Sequence, residues 1–451
     1  MKLWENGDNN STKITERVEK FTVEEDVSMD QILLKYDVLG SVAHATMLQS
    51  IGMLSKNELV KLRTMLREII MLNKKGKFDI QLKDEDVHTK IENFLTDKLG
   101  DIGKKIHTGR SRNDQALVNL RLYSKDKIID LQETMIDVCK TLIAFARKHE
   151  KVPMPGYTHM QKAMPSSVAL WAMSYVEALL DDLELIKTAY KLNNQNPLGS
   201  AAGYGVPLNL DRKLTTRLLG FEKFQNNVLY VQNSRGKIES AIISALATVM
   251  LDLSRLSNDL ILFSTAEFGF FSIPDEFCTG SSIMPKKRNP DILELIRARA
   301  NSVFSDYLHV VCIVKDLPSG YSRDLQETKV PLIRSLSSAD SCLGMMSLLI
   351  KDLKVNQDKL VDAFTPQLFA ADKAIELAGK GVPFRDAYKQ VQYDFYDVNK
   401  AELRDSISSK KYEGTVGNLG IDKVEKDLQK EAERIASDKK GFYDVINNLL
   451  G

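Results

Sequence analysis

The sequence predicts an all-α protein built around five long helices. Four long stretches contain neither Gly nor Pro and carry apolar residues at three- and four-residue steps, and a fifth has a single Gly. Helices longer than about 25 residues are typical of bundles rather than of ordinary globular domains. No stretch shows the convincing apolar/polar alternation of a strand. The five stretches are 110–152, 166–196, 237–268, 291–317 and 332–364.

The patterning divides the chain into three helical domains. Shorter amphipathic helices are predicted at 28–54, 56–72 and 87–99, with breaks at Gly52 and at 73–76. After about residue 355, breaks at 365–366, 379–383 and 414–420 indicate shorter helices again. We therefore expect an N-terminal domain at 1–105, a central long-helix domain at 106–355 and a small C-terminal domain at 356–451.

The apolar face of stretch 237–268 is wide and rich in small residues, among them Ala241, Ser244 and Ala245. Small residues let helices approach closely. A single chain would leave much of such faces exposed to water, so we expect these helices to be buried against other subunits.

Composition excludes several functional classes. The chain has 451 residues and a formal net charge of +1, which gives no argument for nucleic acid or for an anionic membrane surface. The N-terminus lacks the apolar core of a signal peptide, and no uninterrupted apolar run is long enough to span a membrane. The four cysteines are far apart and offer no metal-ligand spacing, so we expect a reducing, cytoplasmic location and no metal.

The predicted loop at the start of residues 278–294 is rich in residue types that are used in catalysis. Residues 278–294 read C-T-G-S-S-I-M-P-K-K-R-N-P-D-I-L-E, a Ser-rich and cationic segment that leads into a predicted helix. Free backbone N–H groups and positive charge at a helix start suit a carboxylate or a developing oxyanion. A solvated basic turn is the alternative interpretation.

A second motif opens the first long helix. Residues 107–115 read H-T-G-R-S-R-N-D-Q, with a turn glycine, several N-cap candidates and two arginines able to hold carboxylates. On these residues alone, an elaborate helix start is the alternative.

Together the motifs resemble a known family. The loop is similar to the G-S-S-x-M-P-x-K-x-N-P signature of the fumarase/aspartase superfamily. The H-T-G-R-S-R-N-D-Q string resembles the hallmark of argininosuccinate lyases and of the lens δ-crystallins derived from them. Further matches follow in family order, and the resemblance extends over about residues 20–390. They lie at 84–88, 156–161, 321–329 and 381–385.

The resemblance implies an anti-elimination that splits argininosuccinate into arginine and fumarate in arginine biosynthesis, without a cofactor. The base would be Ser281, with Lys287 helping to stabilise its alkoxide. His159 would belong to the acid–base apparatus, acting directly or through water, with Glu294 holding its tautomer. The resemblance further implies a homotetramer whose sites are each built from three subunits.

Substrate-binding roles are carried over in the same way. We expect donors near the carboxylates and the reacting centre at Arg112, Asn113, Thr158, Asn289 and Lys329, with Tyr321 and Gln326 around the arginine portion. Asp26 stands where the family often has a substrate-binding serine, and Ser28 lies two residues later, so either residue is a candidate for that contact. His88 and His107 are expected to be structural.

Two alternatives remain at this point. Another lyase of the superfamily, such as an adenylosuccinate lyase, shares the signature loop, although residues 107–115 argue against it. A non-catalytic structural relative, like the lens crystallins, is a different class. Retention of Ser281, His159, Glu294 and Lys287 argues against that class.

Overall fold

The structure is a computed structural model that describes residues 13–393 and 400–451. Within these residues the fold is mostly helical. Its helices are α1 (Lys13–Ser50), α2 (Lys56–Lys74), α3 (Val87–Leu99), α4 (Asp101–Lys104), α5 (Arg112–Lys148), α6 (Val168–Asn193), α7 (Arg212–Leu218), α8 (Val228–Asn233), α9 (Lys237–Phe263), α10 (Asp291–Val314), α11 (Lys329–Asp352), α12 (Gln357–Asp362), α13 (Ala370–Gly379), α14 (Phe384–Tyr393), α15 (Lys400–Ser409) and α16 (Ile421–Leu450).

The expectation of no strands is wrong. Strands β1 (Pro153–Thr158) and β2 (Gln161–Ser167) form an antiparallel hairpin, and six two-residue strands form three further pairs. The hairpin contains three prolines and a glycine and lacks alternating apolar residues, so period-two patterning does not reveal it. The short strands are β3 (Gln195–Asn196), β4 (Lys223–Phe224), β5 (Phe271–Ser272), β6 (Thr279–Gly280), β7 (Arg288–Asn289) and β8 (Lys354–Val355).

The five predicted long helices are confirmed as α5, α6, α9, α10 and α11, which pack side by side. Helix α5 begins with a capping box: the Ser111 hydroxyl accepts from the backbone N–H of Asn113, and the Asp114 carboxylate accepts from the N–H of Ser111. Apolar side chains of all five helices belong to one continuous buried core. The stretch Val228–Phe263 is apolar enough to span a membrane by length and composition, but its helix α9 packs among the other helices of this bundle.

Helix α1 is longer than predicted and joins the N-terminal helices to the bundle. It packs on α2, α3 and α5, and Gly40 lies where α1 meets α5. A Cβ atom at position 40 would approach Val118 Cγ1 to 3.1 Å, so glycine permits the close contact of the two helices. The N-terminal half of α1 therefore lies at the end of the bundle where α5 begins.

Helix α16 packs along α5 and shares its core, whereas the shorter helices α13 and α14 form a small separate cluster. The division into three domains with the limits given above stays a prediction.

Lys125 of α5 is buried near the contact between α5 and α16. Its ammonium lies 2.8 Å from the Asn194 amide oxygen and 4.9 Å from the centroid of the Phe221 ring. Burial lowers the pKa of Lys125 to about 7.

This lysine predicts a specific pH dependence of stability. Its pKa is about 7 in the folded protein but near 10.5 in the unfolded chain, so the unfolded chain binds more protons between these values. Stability should therefore rise with pH across this interval, by about 1–2 kcal/mol between about pH 7 and pH 9. Thermal unfolding should show this slope in the unmodified protein and lose it in Lys125→Met. The exposed neighbour Lys140→Met is the control, and an equal loss of slope there would contradict the assignment.

Candidate active site

A cavity of about 210 Å³ lies where α1, α5 and α11 approach one another. We call it the α1–α11 pocket. Five segments build it: the N-terminal half of α1, residues 85–88 at the start of α3, the start of α5, the residue at 235 just before α9, and residues 321–329, which lead into α11. Its lining residues are Val23, Asp26, Asp30, Glu85, Asp86, His88, Arg112, Asn113, Ala116, Arg235, Tyr321, Arg323, Gln326 and Lys329.

Lys329 is a buried cation of the pocket. Its ammonium lies 2.7 Å from a carboxylate oxygen of Asp26 and 2.8 Å from one of Asp30. Burial acts against the charge of Lys329, but Asp30 and then Asp26 outweigh it, so the pKa of Lys329 lies above its usual value. Burial raises the pKa of Asp30, against the opposing effect of Lys329. The three charges form one compact unit that links α1 to α11.

Of the two candidates on α1, the structure places Asp26 in the pocket. Ser28 is exposed and does not line the cavity, and its hydroxyl donates to the backbone carbonyl of Glu25 at 2.8 Å. Position 26 therefore places a carboxylate in the pocket, in contact with Lys329.

Arg112 and Asn113 line the pocket from the first turn of α5, but the guanidinium of Arg112 is already used. It lies 3.2 Å from Glu85 and 3.3 Å from Asp86, and it donates to the Thr89 hydroxyl at 2.7 Å. Glu85 has a φ of 69°, an uncommon conformation for a residue with a side chain. Such outliers are often found at binding sites, where the surrounding contacts hold them.

His88 closes the inner wall of the pocket. Its Nδ1 lies 2.5 Å from an Asp37 carboxylate oxygen, and both side chains are buried. Burial acts against a charged imidazole, but Asp37 and Asp86 outweigh it and raise the pKa of His88. His107 lies outside this pocket, with its Nδ1 3.8 Å from Glu92. The buried pair supports the pocket from behind, in keeping with the structural role expected for His88.

Arg235, which precedes α9 and lines the same pocket, belongs to none of the sequence motifs described above. Only 3% of its surface is exposed, and its Nε is buried without a hydrogen-bond partner among residues 13–393 and 400–451. Its guanidinium carbon lies 5.6 Å from the centroid of the Tyr321 ring. The only sequence signal is a cation followed by Gly236 just before a long helix, which is too common to be informative.

Thr158 and His159 lie at the tip of the β1–β2 hairpin, and both are exposed. His159 and Met160 form the turn with φ values of 51° and 60°, which residues other than glycine seldom adopt. The hairpin is held from the C-terminal side, because Lys162 donates to the carbonyl of Ala363 at 2.5 Å and Lys410 donates to that of Pro165 at 3.2 Å. These contacts hold the base of a strained turn that presents His159.

The signature loop forms a short hairpin closed by β6 and β7. In the first residue after β6, the Ser281 hydroxyl oxygen accepts hydrogen bonds from the backbone N–H groups of Ile283, at 3.3 Å, and Met284, at 3.0 Å. An oxygen that accepts two backbone N–H groups lies in a favourable place for negative charge. Lys287 is exposed in this loop, and Glu294 is exposed on the first turn of α10.

The expected site residues thus fall into three groups. No hydrogen bond or ion pair joins one group to another within residues 13–393 and 400–451. The first group lies in the α1–α11 pocket, the second at the hairpin tip and the third in the signature loop. The groups are Asp26, Arg112, Asn113, Tyr321, Gln326 and Lys329; Thr158 and His159; and Ser281, Lys287, Asn289 and Glu294.

Comparison with known proteins identifies the family. A family model described as Lyase matches residues 10–305. A protein of Bacteroides fragilis named argininosuccinate lyase is 44% identical over 450 residues, covering 100% of this chain and 99% of that protein. The chain belongs to the argininosuccinate lyase family. An argininosuccinate lyase of Thermotoga neapolitana is likewise 44% identical, over 86% of this chain and 97% of that protein.

The fold of this argininosuccinate lyase family member is also found in more distant enzymes. A crystal structure of EDDS lyase in complex with formate has a TM-score of 0.82 at 21% identity, covering 96% of this chain and 94% of that chain. The class II fumarase of Schistosoma mansoni has a TM-score of 0.68 at 18% identity, covering 84% and 87% of the two chains. These similarities extend to the fold alone.

Proposed function

We propose that this member of the argininosuccinate lyase family splits argininosuccinate into arginine and fumarate by the roles assigned below. Full-length identity of 44% to proteins named argininosuccinate lyase is the observation that carries the reaction. The site residues and their division of labour are our proposal. The chain has four cysteines and all are free, which supports a reducing, cytoplasmic location.

The reacting centre is assigned to the signature loop and the hairpin tip. Ser281 removes the proton next to a succinyl carboxylate, with its oxygen supported by the two backbone N–H groups that it already accepts. Lys287 adds positive charge on the same loop. His159 provides acid–base function for the departing guanidinium nitrogen, directly or through water, and Glu294 orients its ring. Thr158 and Asn289 contribute neutral donors to the carboxylates.

The α1–α11 pocket is assigned to the arginine portion of the substrate. It carries Tyr321, Gln326 and Asp26 beside the buried Lys329. Asn113 lies at its mouth on the first turn of α5, where it can face both portions of the substrate. Arg112 acts through position, because its guanidinium holds the 85–86 turn against α5.

We infer that a complete site is assembled from several subunits of a tetramer. The three groups are apart within one chain, yet the reaction needs base, acid and binding residues around one substrate. The long helices also expose large apolar side chains that a second subunit would cover, which favours association through these faces. These exposed residues are Leu185, Leu251, Leu295, Leu308 and Leu348.

The reaction is tested by mixing the purified protein with argininosuccinate and following fumarate by its ultraviolet absorbance. Fumarate and arginine in equal amounts are expected. Fumarate from adenylosuccinate instead would favour another lyase of the superfamily. Fumarate from neither substrate, with a folded protein, would favour a structural relative.

Shared sites predict complementation between two inactive variants. Ser281→Ala alters the loop and Asn113→Ala the pocket, so each variant alone should be inactive. In mixed tetramers some sites combine an intact loop with an intact pocket, and activity should return to at most about a quarter of normal for random assembly. The measurement is fumarate formation after unfolding and refolding the two variants together. Mixing the two variants without refolding is the control. If the co-refolded sample forms no fumarate, each site lies within one chain.

A further inference from the structure

We propose that Lys410 is a positioning residue for the reaction: it ties the β1–β2 hairpin to α13 and so fixes where the hairpin tip places Thr158 and His159. This inference deepens the proposed function and rests on it. It gives the C-terminal helices a part in the acid–base step, one that acts through the hairpin.

The strand pairing of the hairpin is weak at the step that Lys410 contacts. Pro155 and Pro165 face each other there, and because a proline has no N–H, neither donates to the opposite strand. The register shifts immediately beyond, between Pro155 and Tyr157. The Pro165 carbonyl accepts from the ammonium of Lys410 at 3.2 Å. The contact from outside the hairpin therefore falls where the hairpin's own hydrogen bonds join its two halves least.

Burial of the hairpin ends at the same step. Both of these prolines are buried, whereas residues 158–162 are exposed. A cavity of about 960 Å³ lies between the hairpin and α13, α15 and residues 412–416, so side-chain packing does not fill this space. Strand β1 is anchored by Tyr157, whose ring centroid lies 5.7 Å from that of Phe268. Strand β2 has no aromatic residue, so its outer half depends more on polar contacts.

Lys410 is itself held firmly at both ends. Its ammonium lies 3.2 Å from a carboxylate oxygen of Asp372 on α13, and the same oxygen accepts from the Ser406 hydroxyl on α15. The side chains of Lys410 and Asp372 are only 21% and 22% exposed, so water screens their attraction incompletely. The Lys410 carbonyl accepts from the Thr415 hydroxyl at 2.6 Å and from the Gly417 N–H at 3.0 Å. This lysine therefore offers the hairpin a fixed point of attachment.

A fixed attachment matters because proton transfer tolerates little misplacement. Gln161, the first residue of β2, lies four residues before Pro165, roughly 13 Å along the strand at about 3.3 Å per residue. A tilt of about 5° at the proline step would therefore move the tip by about 1 Å. A displacement of that size can lower a rate by about 100-fold. The contact at Pro165 thus controls the distance between His159 and the atom that it serves.

The test compares Lys410→Met with Lys410→Arg, which keeps the positive charge, and with the control Lys380→Met. Lys380 is an exposed lysine at the end of α13 that pairs with Glu376 at 2.7 Å. In Lys410→Met we expect kcat for fumarate formation to fall about 10–100-fold. KM for argininosuccinate should stay within about threefold, because most of the proposed binding residues lie outside the hairpin. Lys410→Arg and Lys380→Met should both keep kcat within about threefold.

Hydrogen exchange gives a second measurement that does not depend on activity. Backbone amides of β2, residues 161–167, should exchange about 10-fold faster in Lys410→Met than in the unmodified enzyme. Their exchange should be unchanged in Lys380→Met. Amides in the middle of α5 should exchange equally slowly in all these proteins, which would show that the bundle is intact.

Each outcome decides the proposal. A fall in kcat without faster exchange in β2 would place the effect elsewhere in the fold and overturn the inference. Faster exchange with an unchanged kcat would also overturn it, because the hairpin would then be held without benefit to the reaction. If Lys410→Met does not fold, Asp372→Asn replaces it: kcat should fall about 3–10-fold and β2 should exchange faster, and no change in either contradicts the inference. If the unmodified enzyme forms no fumarate, the proposed function fails, whereas hydrogen exchange still shows whether Lys410 holds the hairpin.

Discussion

Replacing Ser281 with alanine is expected to lower kcat by about 10²–10⁴-fold, the usual contribution of a positioned general base. Two backbone N–H groups of the signature loop donate to the Ser281 oxygen, and alanine has no side-chain oxygen at that position. The change is at a half-buried loop residue outside the hydrophobic core, so the thermal unfolding temperature should stay nearly the same. The measurement is steady-state fumarate formation with both proteins at matched concentration.

Ser282→Ala is the matched control, because it removes a neighbouring exposed hydroxyl from the same loop. It should retain activity within a few-fold of normal. If Ser282→Ala is the damaged variant and Ser281→Ala is not, the base is the second serine. If both retain activity, the proton is removed by a group outside the loop.

Replacing Lys329 with methionine is expected to destabilise the protein by about 3–5 kcal/mol, the usual cost of removing one partner of a buried ion pair. The change leaves the carboxylates of Asp26 and Asp30 facing each other without their cation. The change would also disrupt the pocket assigned to the arginine portion of the substrate, so activity should fall together with stability. Chemical unfolding at several pH values is the measurement.

The free energy of unfolding of Lys329→Met should depend on pH in a predictable direction. Burial already raises the pKa of Asp30, and loss of Lys329 removes the main effect that opposes it. A carboxyl whose folded pKa lies above its unfolded value stabilises the fold at low pH and loses that contribution as pH rises through the folded pKa. The variant should therefore recover stability on mild acidification. The double variant Lys329→Met/Asp30→Asn should recover part of the lost stability at neutral pH. If neither acidification nor the second substitution restores stability, the ion-pair explanation is contradicted.

Much of the fold follows from local patterning. The limits of α2 and α3 and the positions of the five long helices agree with periodicity, because those helices bury a continuous apolar face. The β1–β2 hairpin was missed because its strands carry prolines and no alternation, and its backbone pairing and lysine contacts are tertiary features. Local sequence does not contain that information.

The site was predictable only where a motif names its residues. Asp26 and Lys329 are 303 residues apart in sequence, so their contact is not visible in composition or spacing. Motif resemblance nevertheless selected both, and the structure brings them within 2.7 Å. Arg235 belongs to no motif that we recognised, and only the structure shows that it lines the pocket with its Nε buried and unpartnered among the described residues. Such a mismatch between charge and surroundings is a property of three-dimensional structure.

The N-terminal half of α1 has a consequence for where this enzyme can be trimmed. Core packing along α1 becomes continuous only from about residue 33. Yet Asp26 contacts Lys329, and the carbonyl of Thr22 accepts from Gln326 at 2.9 Å. The smallest chain that still folds is therefore expected to be shorter than the smallest chain that still binds substrate. Design of shortened or N-terminally fused versions should take its starting point from the contacts of Thr22 and Asp26.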